Sequence, residues 1–399
     1  MQFIDLAAQQ KLIRNDLETR LKKVLDQGAY IQGPEVAELE KALAAFTGVE
    51  HAISCSSGTD ALLMALMALS IGPGDAVLTT PFTFIATAEV ISLLNAVPVF
   101  VDVEAETMNI SPDGISAAIH ALASGKAGDH PLPAQCGAGS KVARITDSCP
   151  VRPKAIIPVD LFGLAADYDA INAIAAKHGL AVIEDAAQSF GALYKGKRAC
   201  SLTEIGCTSF FPAKPLGCYG DGGMCFTNSL DLAQKMRSVR VHGQGSHKYE
   251  NVRIGINGRL DTMQAAVLLS KFLLFPDEIE RRQKVAKRYN DLISKSDLFL
   301  VPKIFDHAPS VWAQYTLVAR ENGMREAVLK HLSEKKIPTA IYYPTPLHLQ
   351  KAFDFLEYRK GDFPVSEDLA GRVFSLPMHP YLSEADQDQI VEALLAFKG

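Results

Sequence analysis

A single lysine, Lys214, lies in an apolar and tightly bent segment of the sequence, TSFFPAKPLGCYGDGG, which runs from Thr208 to Gly223. Phenylalanines and prolines surround it closely, and glycines follow. Burial lowers the pKa of an amine and makes it a nucleophile, so a lysine in such a loop can form a Schiff base with an aldehyde. An ordinary surface position is the alternative for a lone lysine.

A carboxylate at the end of an apolar strand is a second candidate group. Asp185 ends the apolar part of VIEDAAQSFGA, and open α/β sheets bind their ligands beyond the carboxyl ends of such strands. The carboxylate can pair with a cationic ring nitrogen, bind a ribose hydroxyl, or cap a helix. We expect Glu184 to point to the opposite side, because neighbouring residues of a strand alternate in direction. Gln188 follows Asp185 by about one turn.

A short segment of small residues, SSGT (Ser56 to Thr59), connects a predicted strand to a predicted helix. Free backbone N–H groups and the helix dipole make such a helix start an anion site, and small side chains let the anion approach. An ordinary Ser or Thr helix cap is equally compatible with the segment.

These three features occur along one α/β frame: an anion-binding helix start, a strand-end aspartate and a constrained lysine. A cofactor with a phosphate, a pyridine nitrogen and an aldehyde would use all three. Pyridoxal 5′-phosphate (PLP) carries these groups, and a Schiff-base lysine with an acidic partner for the ring nitrogen is its protein signature. The sequence therefore favours a PLP site.

The elements that must position these groups alternate between strand and helix. Apolar strands such as KAIIPV are separated by amphipathic helices such as LIRNDLETRLKKVLDQG, which ends at Gly28. This alternation predicts a mostly parallel sheet covered by helices on both faces. From about residue 250, long polar helices and short strands replace the pattern. We therefore predict an α/β fold, with a large domain at residues 1–249 and a smaller C-terminal α+β domain at residues 250–399.

The stretch 122–153 interrupts the large domain. It is rich in Gly, Pro, Ala and Ser and has no clear periodicity. Loops of this length are uncommon in compact domains. We expect a long inserted surface loop, and both a functional lid and a tolerated insertion remain open, with the insertion favoured.

Nucleotide-binding motifs are poorly supported. GALYKGKR has the glycine and lysine spacing of a phosphate-binding loop, but Arg198 stands where Ser or Thr must hold Mg²⁺. We expect a hairpin turn at Lys195–Gly196 instead. No G-x-G-x-x-G follows a strand and begins a helix, which disfavours a nicotinamide enzyme.

The composition excludes several other classes. The 399 residues are 48% hydrophobic and 21% charged, with a net charge of −5, and no Lys/Arg cluster indicates nucleic-acid binding. The longest nearly apolar run is shorter than the ~20 residues that span a bilayer. The first residues lack the basic and apolar regions of a signal peptide, so we expect a cytoplasmic protein without membrane contact. Seven cysteines without a C-x-x-C pair predict neither zinc nor disulfides.

Longer segments resemble the DegT/StrS-type sugar aminotransferases, which are PLP enzymes with the aspartate aminotransferase fold (PLP fold type I). The resemblance extends over nearly the whole chain. The segments that carry it are FIDLAAQQ, GAYIQGPEVAELEKALAAFTG, SCSSGTDAL, PFTFIATAEVI, EDAAQSFGA, TSFFPAKPLGCYGDGG, GINGRLDTMQAA and SLPMHPYL. The inserted stretch 122–153 is longer than this family usually carries.

The resemblance implies roles at the cofactor ring. It implies that Lys214 forms the Schiff base and that Asp185 keeps the pyridine nitrogen protonated. It places Phe84 against the ring face and Gln188 near the ring hydroxyl.

At the phosphate, the resemblance implies binding by Ser57, Gly58, Thr59 and Ser209. It also implies that Asn257 reaches the phosphate of the neighbouring subunit's cofactor, which would make a homodimer necessary for activity.

For the substrates, the resemblance is closest to enzymes that transfer an amino group from L-glutamate to C3 of a UDP-linked 3-keto-N-acetylglucosaminuronate, in bacterial surface-polysaccharide (O-antigen) synthesis. Arg259 is the residue expected to bind a carboxylate, of the uronate, of glutamate or of each in turn, because its fork suits that group. A structural ion pair is the alternative. Tyr342 stands where the family often has histidine, and we expect it to contact the sugar.

Other functions remain open. The nearest is an aminotransferase for another 3-keto or a 4-keto nucleotide sugar. A PLP-dependent sugar dehydratase is less compatible, since such enzymes of this family carry histidine in place of Lys214. A non-enzymatic PLP-binding regulator would require a DNA-binding module, which neither the charge nor any helix-turn-helix segment supports.

Overall fold

The structure is a computed structural model that describes residues 1–124, 130–136, 151–303 and 305–398. Most of the predicted insertion at 122–153 therefore lies outside the described residues. In the part of the chain that is described, no helix is both long and apolar enough to cross a membrane.

The first half of the chain alternates between helices and strands as predicted. Its elements are α1 (Leu6–Gln27), α2 (Pro34–Thr47), β1 (His51–Cys55), α3 (Gly58–Ala68), β2 (Asp75–Thr79), α4 (Ala86–Leu93), β3 (Val97–Phe100), α5 (Pro112–Ser124), β4 (Arg152–Ile157), α6 (Tyr168–His178) and β5 (Ala181–Asp185).

The second half contains shorter strands and longer connections. Its elements are β6 (Leu193–Tyr194), β7 (Lys197–Arg198), β8 (Ile205–Ser209), β9 (Gly223–Thr227), α7 (Leu230–Arg240), α8 (Thr262–Phe272), α9 (Phe275–Ile293), β10 (Phe299–Leu300), β11 (Tyr315–Ala319), α10 (Met324–Glu334), α11 (Pro364–Arg372), β12 (Val373–Leu376) and α12 (Glu384–Leu395).

The helix ends follow local sequence signals. Asp5 caps α1, since its carboxylate accepts the Ala8 N–H at 2.8 Å. Gly28 and Gly48 end α1 and α2 with φ of 69° and 80°, a conformation that glycine adopts without steric cost. Pro34 begins α2, where its missing N–H has no helical partner to lose.

The central sheet has seven strands in the order β1-β9-β8-β5-β4-β2-β3. Neighbouring strands from β3 to β8 run parallel, whereas β9 is antiparallel to both β8 and β1. The prediction of a mostly parallel sheet is thus confirmed. Because β4, β5 and β8 run the same way, their carboxyl ends lie at one edge of the sheet.

Helices cover both faces of this sheet. Val77, Ile157 and Ile183 pack in one buried cluster with α3 and α7. Their strand neighbours Leu78 and Ile156 belong to a separate cluster with α5 and α6. Adjacent strand residues therefore face opposite helical layers, as the alternation of side chains along a strand requires.

The C-terminal part contains a smaller antiparallel sheet, β10-β11-β12. Its core includes Tyr289 from α9, Tyr315 from β11 and Phe374 from β12. The division between residues 249 and 250 stays a prediction. The helix α8, which follows that point, packs on α1 and α2, and the smaller sheet begins only at Phe299.

The segment that resembles a phosphate-binding loop is a hairpin, as expected. Strands β6 and β7 pair antiparallel across Lys195 and Gly196, whose φ angles are 50° and 80°. Two consecutive positive φ angles are typical of the tight turns that join antiparallel strands.

Candidate active site

Asp185 is the last residue of β5 and is almost completely buried. Its Oδ2 accepts a hydrogen bond from Thr87 Oγ1 at 2.8 Å, and its Oδ1 accepts the Ala187 N–H at 3.2 Å. Burial raises the pKa of this carboxyl, while the two hydrogen bonds and the positive charge of Lys214 oppose the rise. The strand end thus presents a carboxylate that is costly to bury without a cationic partner.

Lys214 lies in the loop between β8 and β9, and backbone hydrogen bonds close this loop. Phe210 N–H donates to Gly222 C=O at 2.7 Å, and Lys214 N–H donates to Phe211 C=O at 2.9 Å. Part of the Lys214 residue remains accessible, but the protein around the amine lowers its pKa by desolvation, which nearby Asp185 partly offsets. A lowered pKa increases the fraction of neutral, nucleophilic amine.

The start of α3 forms a narrow cradle with the end of β8. Ser57 caps the helix by accepting the Asp60 N–H at 3.0 Å, and Gly58 and Thr59 supply the first turn. The first N–H groups of a helix have no partner inside it. A Cβ added at Gly58 would lie 2.6 Å from Ser209 Cβ, so only glycine permits this approach. The predicted phosphate-binding residues are therefore adjacent.

Gln188 is buried beside a tyrosine that the sequence analysis did not single out. Its Oε1 accepts the Phe162 N–H at 2.7 Å, and its Nε2 donates to Tyr343 Oη at 3.0 Å. The Tyr343 ring lies 6.4 Å from the ring of Phe84. Phe84 itself is 55% exposed, which leaves its face available to another ring.

The segment 257–259 runs beside the start of α3, because Gly258 C=O accepts the Ser56 N–H at 3.1 Å. Asn257 is exposed. Arg259 is half-buried, and its Nε is enclosed without a hydrogen-bond partner among the described residues. It also forms no ion pair with a residue of the described ranges. Within the described ranges, the alternative of a structural ion pair for Arg259 thus has no support.

Tyr342 is partly buried and packs with Tyr343 at a ring distance of 5.9 Å. Burial raises the pKa of its hydroxyl, so the group is a neutral hydrogen-bonding partner at physiological pH. Glu184 points away from Asp185, as expected, and accepts hydrogen bonds from Cys200 N–H and Leu202 N–H.

Sequence reasoning missed Thr87, Tyr343 and Asp160, which contact the predicted residues directly. Thr87 lies four residues after Thr83 in PFTFIATAEVI, a spacing that places both hydroxyls on one side of a helical turn. That spacing was the available signal for Thr87. Tyr343 and Asp160 have no local signal, because their partners are far away in the sequence.

Residues 11–395 match the model of the DegT/DnrJ/EryC1/StrS aminotransferase family. The chain belongs to this family. Its match extends from α1 to the last residue of α12, so it includes every residue of the site described above.

Similar proteins match nearly the whole of this chain. The UDP-2-acetamido-2-deoxy-3-oxo-D-glucuronate aminotransferase of Pseudomonas aeruginosa is 48% identical, over 99% of this chain and 99% of its own. A DegT DnrJ EryC1 StrS aminotransferase from Brucella abortus, known from a crystal structure, is 49% identical, with complete coverage of both chains and a TM-score of 0.91. NtdA from Bacillus subtilis, solved with bound cofactor PMP, is 28% identical, covers 98% of this chain and 82% of its own, and has a TM-score of 0.83.

The predicted fold class, enzyme class and cofactor are therefore confirmed: this member of the family is a PLP-dependent aminotransferase. The residues present fit the cofactor. The buried carboxylate of Asp185 suits the ring nitrogen, the cradle at Gly58 and Ser209 suits the phosphate, and Lys214 suits the aldehyde.

Proposed function

We propose that the protein transfers the amino group of L-glutamate to the 3-keto carbon of a UDP-linked N-acetyl-3-oxo-glucuronate, in the synthesis of a bacterial surface polysaccharide. The observation that carries this proposal is Arg259, whose Nε is enclosed and unpartnered in the described chain. A guanidinium fork binds carboxylates in a bidentate way, and both glutamate and a uronate carry one. The relative from Pseudomonas aeruginosa is named for a glucuronate substrate.

The geometry of the ring-binding residues supports the roles that we propose for them. Pyridoxal phosphate supplies an aldehyde that takes up an amino group and a ring that withdraws electrons. Asp185 Oδ1 retains lone-pair capacity beyond the Ala187 N–H and would hold the proton on the ring nitrogen. Lys214 Nζ, as a neutral amine, would take the proton from the donor's Cα and return it in the second half of the reaction.

The remaining predicted residues would bind and orient. The helix start at Ser57, Gly58 and Thr59, with Ser209 opposite, would hold the phosphate through N–H and hydroxyl groups. Phe84 would cover one ring face. Gln188 would lie at the ring hydroxyl and Tyr342 at the sugar.

A homodimer with shared sites is part of the proposal. Asn257 is exposed. Tyr249 and Ile254, which shortly precede it in the chain, are almost completely exposed. Large exposed apolar side chains next to a site indicate a protein interface. Asn257 would then bind the phosphate in the partner subunit. We also propose a cytoplasmic location, because nucleotide sugars and glutamate are intracellular metabolites.

Two alternatives would be distinguished by chemistry. Another 3-keto or 4-keto nucleotide sugar would use the same lysine with a different pocket. A sugar dehydratase would not leave an amino group on the sugar, and a non-enzymatic regulator would not release 2-oxoglutarate from glutamate. The lysine at position 214, where dehydratases of this family carry histidine, disfavours the dehydratase.

The test combines spectroscopy with a substrate comparison. We expect the visible band of the lysine-linked cofactor to disappear when L-glutamate is added and to return with the keto uronate, more readily than with the corresponding keto sugar that lacks the carboxylate. Arg259→Lys should raise KM for the uronate at least about 10-fold, because a lysine cannot form the bidentate contact. Arg359→Lys, at an exposed arginine outside the proposed dimer interface, is the matched control. Equal use of both sugars by the unmodified enzyme would refute the uronate assignment.

A further inference from the structure

Two acidic side chains that the reaction does not use are buried together behind Asp185. Glu184 belongs to β5 and Asp160 follows β4, and neither has any exposed surface. Val159 pairs with Asp185 across the two parallel strands, so the next residue, Asp160, and the preceding one, Glu184, turn to the same face, where their carboxyl groups interact at close range. Two carboxylates at that distance in a buried place cannot both stay ionised, since the repulsion raises the pKa of one strongly.

The hydrogen bonds decide which of the two keeps the charge. Asp160 accepts three: from Ser189 Oγ at 2.7 Å, Tyr168 Oη at 2.7 Å and Ala166 N–H at 3.0 Å. Glu184 accepts two backbone N–H groups, at 2.6 and 3.2 Å. More donors stabilise the ionised form better, so Asp160 is the carboxylate and Glu184 the acid.

Among the described residues, the titratable groups that act on this pair are acidic or neutral and supply no compensating cation. Asp185 adds negative charge from the same edge of the sheet. The Tyr168 hydroxyl of α6 and the Cys200 thiol stay neutral, because burial raises the pKa of each well above its ordinary value. Burial also raises the pKa of Glu184 well above its ordinary value and the pKa of Asp160 to about 6.

Asp160 connects the strand end to the turn that holds Gln188. Its N–H donates to Asp185 C=O at 3.1 Å. Its carboxylate accepts a hydrogen bond from Ser189, the residue next to Gln188. Phe162, two residues after Asp160, donates its N–H to the Gln188 amide and holds it in place. A change of charge at Asp160 would therefore reach both Asp185 and Gln188.

We propose that Glu184 and Asp160 share one proton, which resides on Glu184, and that ionised Asp160 acts as a positioning residue for Asp185 and Gln188. Because the two residues share one proton, the pair carries one negative charge, not two, behind the carboxylate of Asp185. The proposal concerns the cofactor site of the family and is independent of which sugar the enzyme uses.

Infrared spectroscopy of the cofactor-free protein tests where the proton lies. Near neutral pH we expect the carbonyl stretch of a protonated carboxylic acid in the unmodified protein. It should disappear in Glu184→Gln, whereas in Asp160→Asn it should remain but shift in frequency, because burial alone keeps Glu184 protonated while the acid loses its ionised partner. Glu106→Gln, an exposed residue paired with Lys303, should leave the band unchanged. A band that survives in Glu184→Gln, a band that is unchanged in Asp160→Asn, or no band in the unmodified protein overturns the proposal.

Isotope labelling makes the same test without a substitution, in case a variant does not fold. Glutamate labelled with ¹³C at its side-chain carboxyl should shift the band, and labelled aspartate should not; the reverse result would put the proton on an aspartate and overturn the assignment. For the positioning role, Asp160→Asn in the holoenzyme should lower kcat about 10-fold while KM for glutamate changes little. Unchanged kcat in Asp160→Asn would overturn that role.

Discussion

Thr87 Oγ1 donates a hydrogen bond to Asp185 Oδ2 at 2.8 Å, and both side chains are buried. Thr83 Oγ1 lies 3.2 Å from Thr87 Oγ1. Because the Thr87 proton is directed to Asp185, Thr83 must be the donor in that second bond. The threonine pair therefore orients the carboxylate and stabilises its charge, and it leaves Oδ1 to the cofactor ring.

Thr87→Val should remove the hydrogen bond to Asp185 with little change in the shape of the side chain. The lost bond stabilised the charged form, so the pKa of Asp185 rises and the carboxylate is lost at a higher pH. We expect the acidic limb of kcat/KM to move to higher pH, with about a 10-fold loss at neutral pH. Thr87→Ser keeps the hydroxyl and should keep the profile. An acidic limb that stays in place in the valine variant would contradict this role of Thr87.

Gly58→Ala should weaken cofactor binding. The added methyl group would lie 2.6 Å from Ser209 Cβ, closer than carbon atoms approach, so the cradle must open. Overpacking of this kind costs about 1–3 kcal/mol, which corresponds to roughly a 5- to 150-fold increase in the Kd of PLP. Gly72→Ala is the control, because nothing lies within 4 Å of its added Cβ. Equal affinity in the two variants, measured by absorbance titration, would exclude a tight cradle.

The parts of the site that sequence could predict are those with a local signal. Gly28 and Gly48 mark helix ends because of their backbone conformation, and the alternation of apolar strands with amphipathic helices predicts the parallel sheet. Asp185 and Lys214 were found because an apolar strand end and a bent aromatic loop are unusual places for charge.

The remaining contacts could not be predicted because distant segments form them. Tyr343 meets Gln188 across 155 positions, and Asp160 meets Glu184 only because β4 and β5 are neighbours in the sheet. The sequence also does not indicate which of the two adjacent tyrosines in IYYPTPL contacts Gln188. Only the fold shows that Tyr343, and not Tyr342, binds Gln188.

Lys214 is not the only lysine near this loop with a lowered pKa. Lys271 is buried in α8, and burial lowers its pKa to about 8. Its ammonium group lies 4.2 Å from the centre of the Tyr219 ring, a contact that favours the charged form. The fold thus offers two amines that could react with an aldehyde at neutral pH, but only Lys214 has Asp185 nearby.

Borohydride reduction of the holoenzyme, followed by peptide mapping, should place the cofactor on Lys214 alone. Lys214→Arg should retain PLP without a covalent bond and should abolish transamination, since an arginine forms no Schiff base under these conditions and stays protonated. In the Lys271→Met variant, the cofactor label should still be found on Lys214. A label on the Lys271 peptide, or near wild-type turnover in Lys214→Arg, would contradict the assignment.

The orientation of Gln188 makes a prediction about Tyr343. The Phe162 N–H can only donate, so the Gln188 oxygen faces it and the amide nitrogen faces Tyr343. Tyr343 Oη therefore accepts this bond, and its own proton is free to donate into the site. Burial and the charge of Asp185 raise the pKa of Tyr343, so the proton is present throughout the physiological range.

Tyr343→Phe should lower the rate of the glutamate half-reaction about 10-fold, because the Gln188 amide loses its partner and the site loses a donor. Tyr342→Phe is the matched control: its hydroxyl has no such bond to Gln188, so it should change KM for the sugar and leave the half-reaction with glutamate unchanged. Stopped-flow absorbance measures both half-reactions separately. If the two variants behave alike with glutamate, the link from Gln188 to Tyr343 does not contribute to the chemistry.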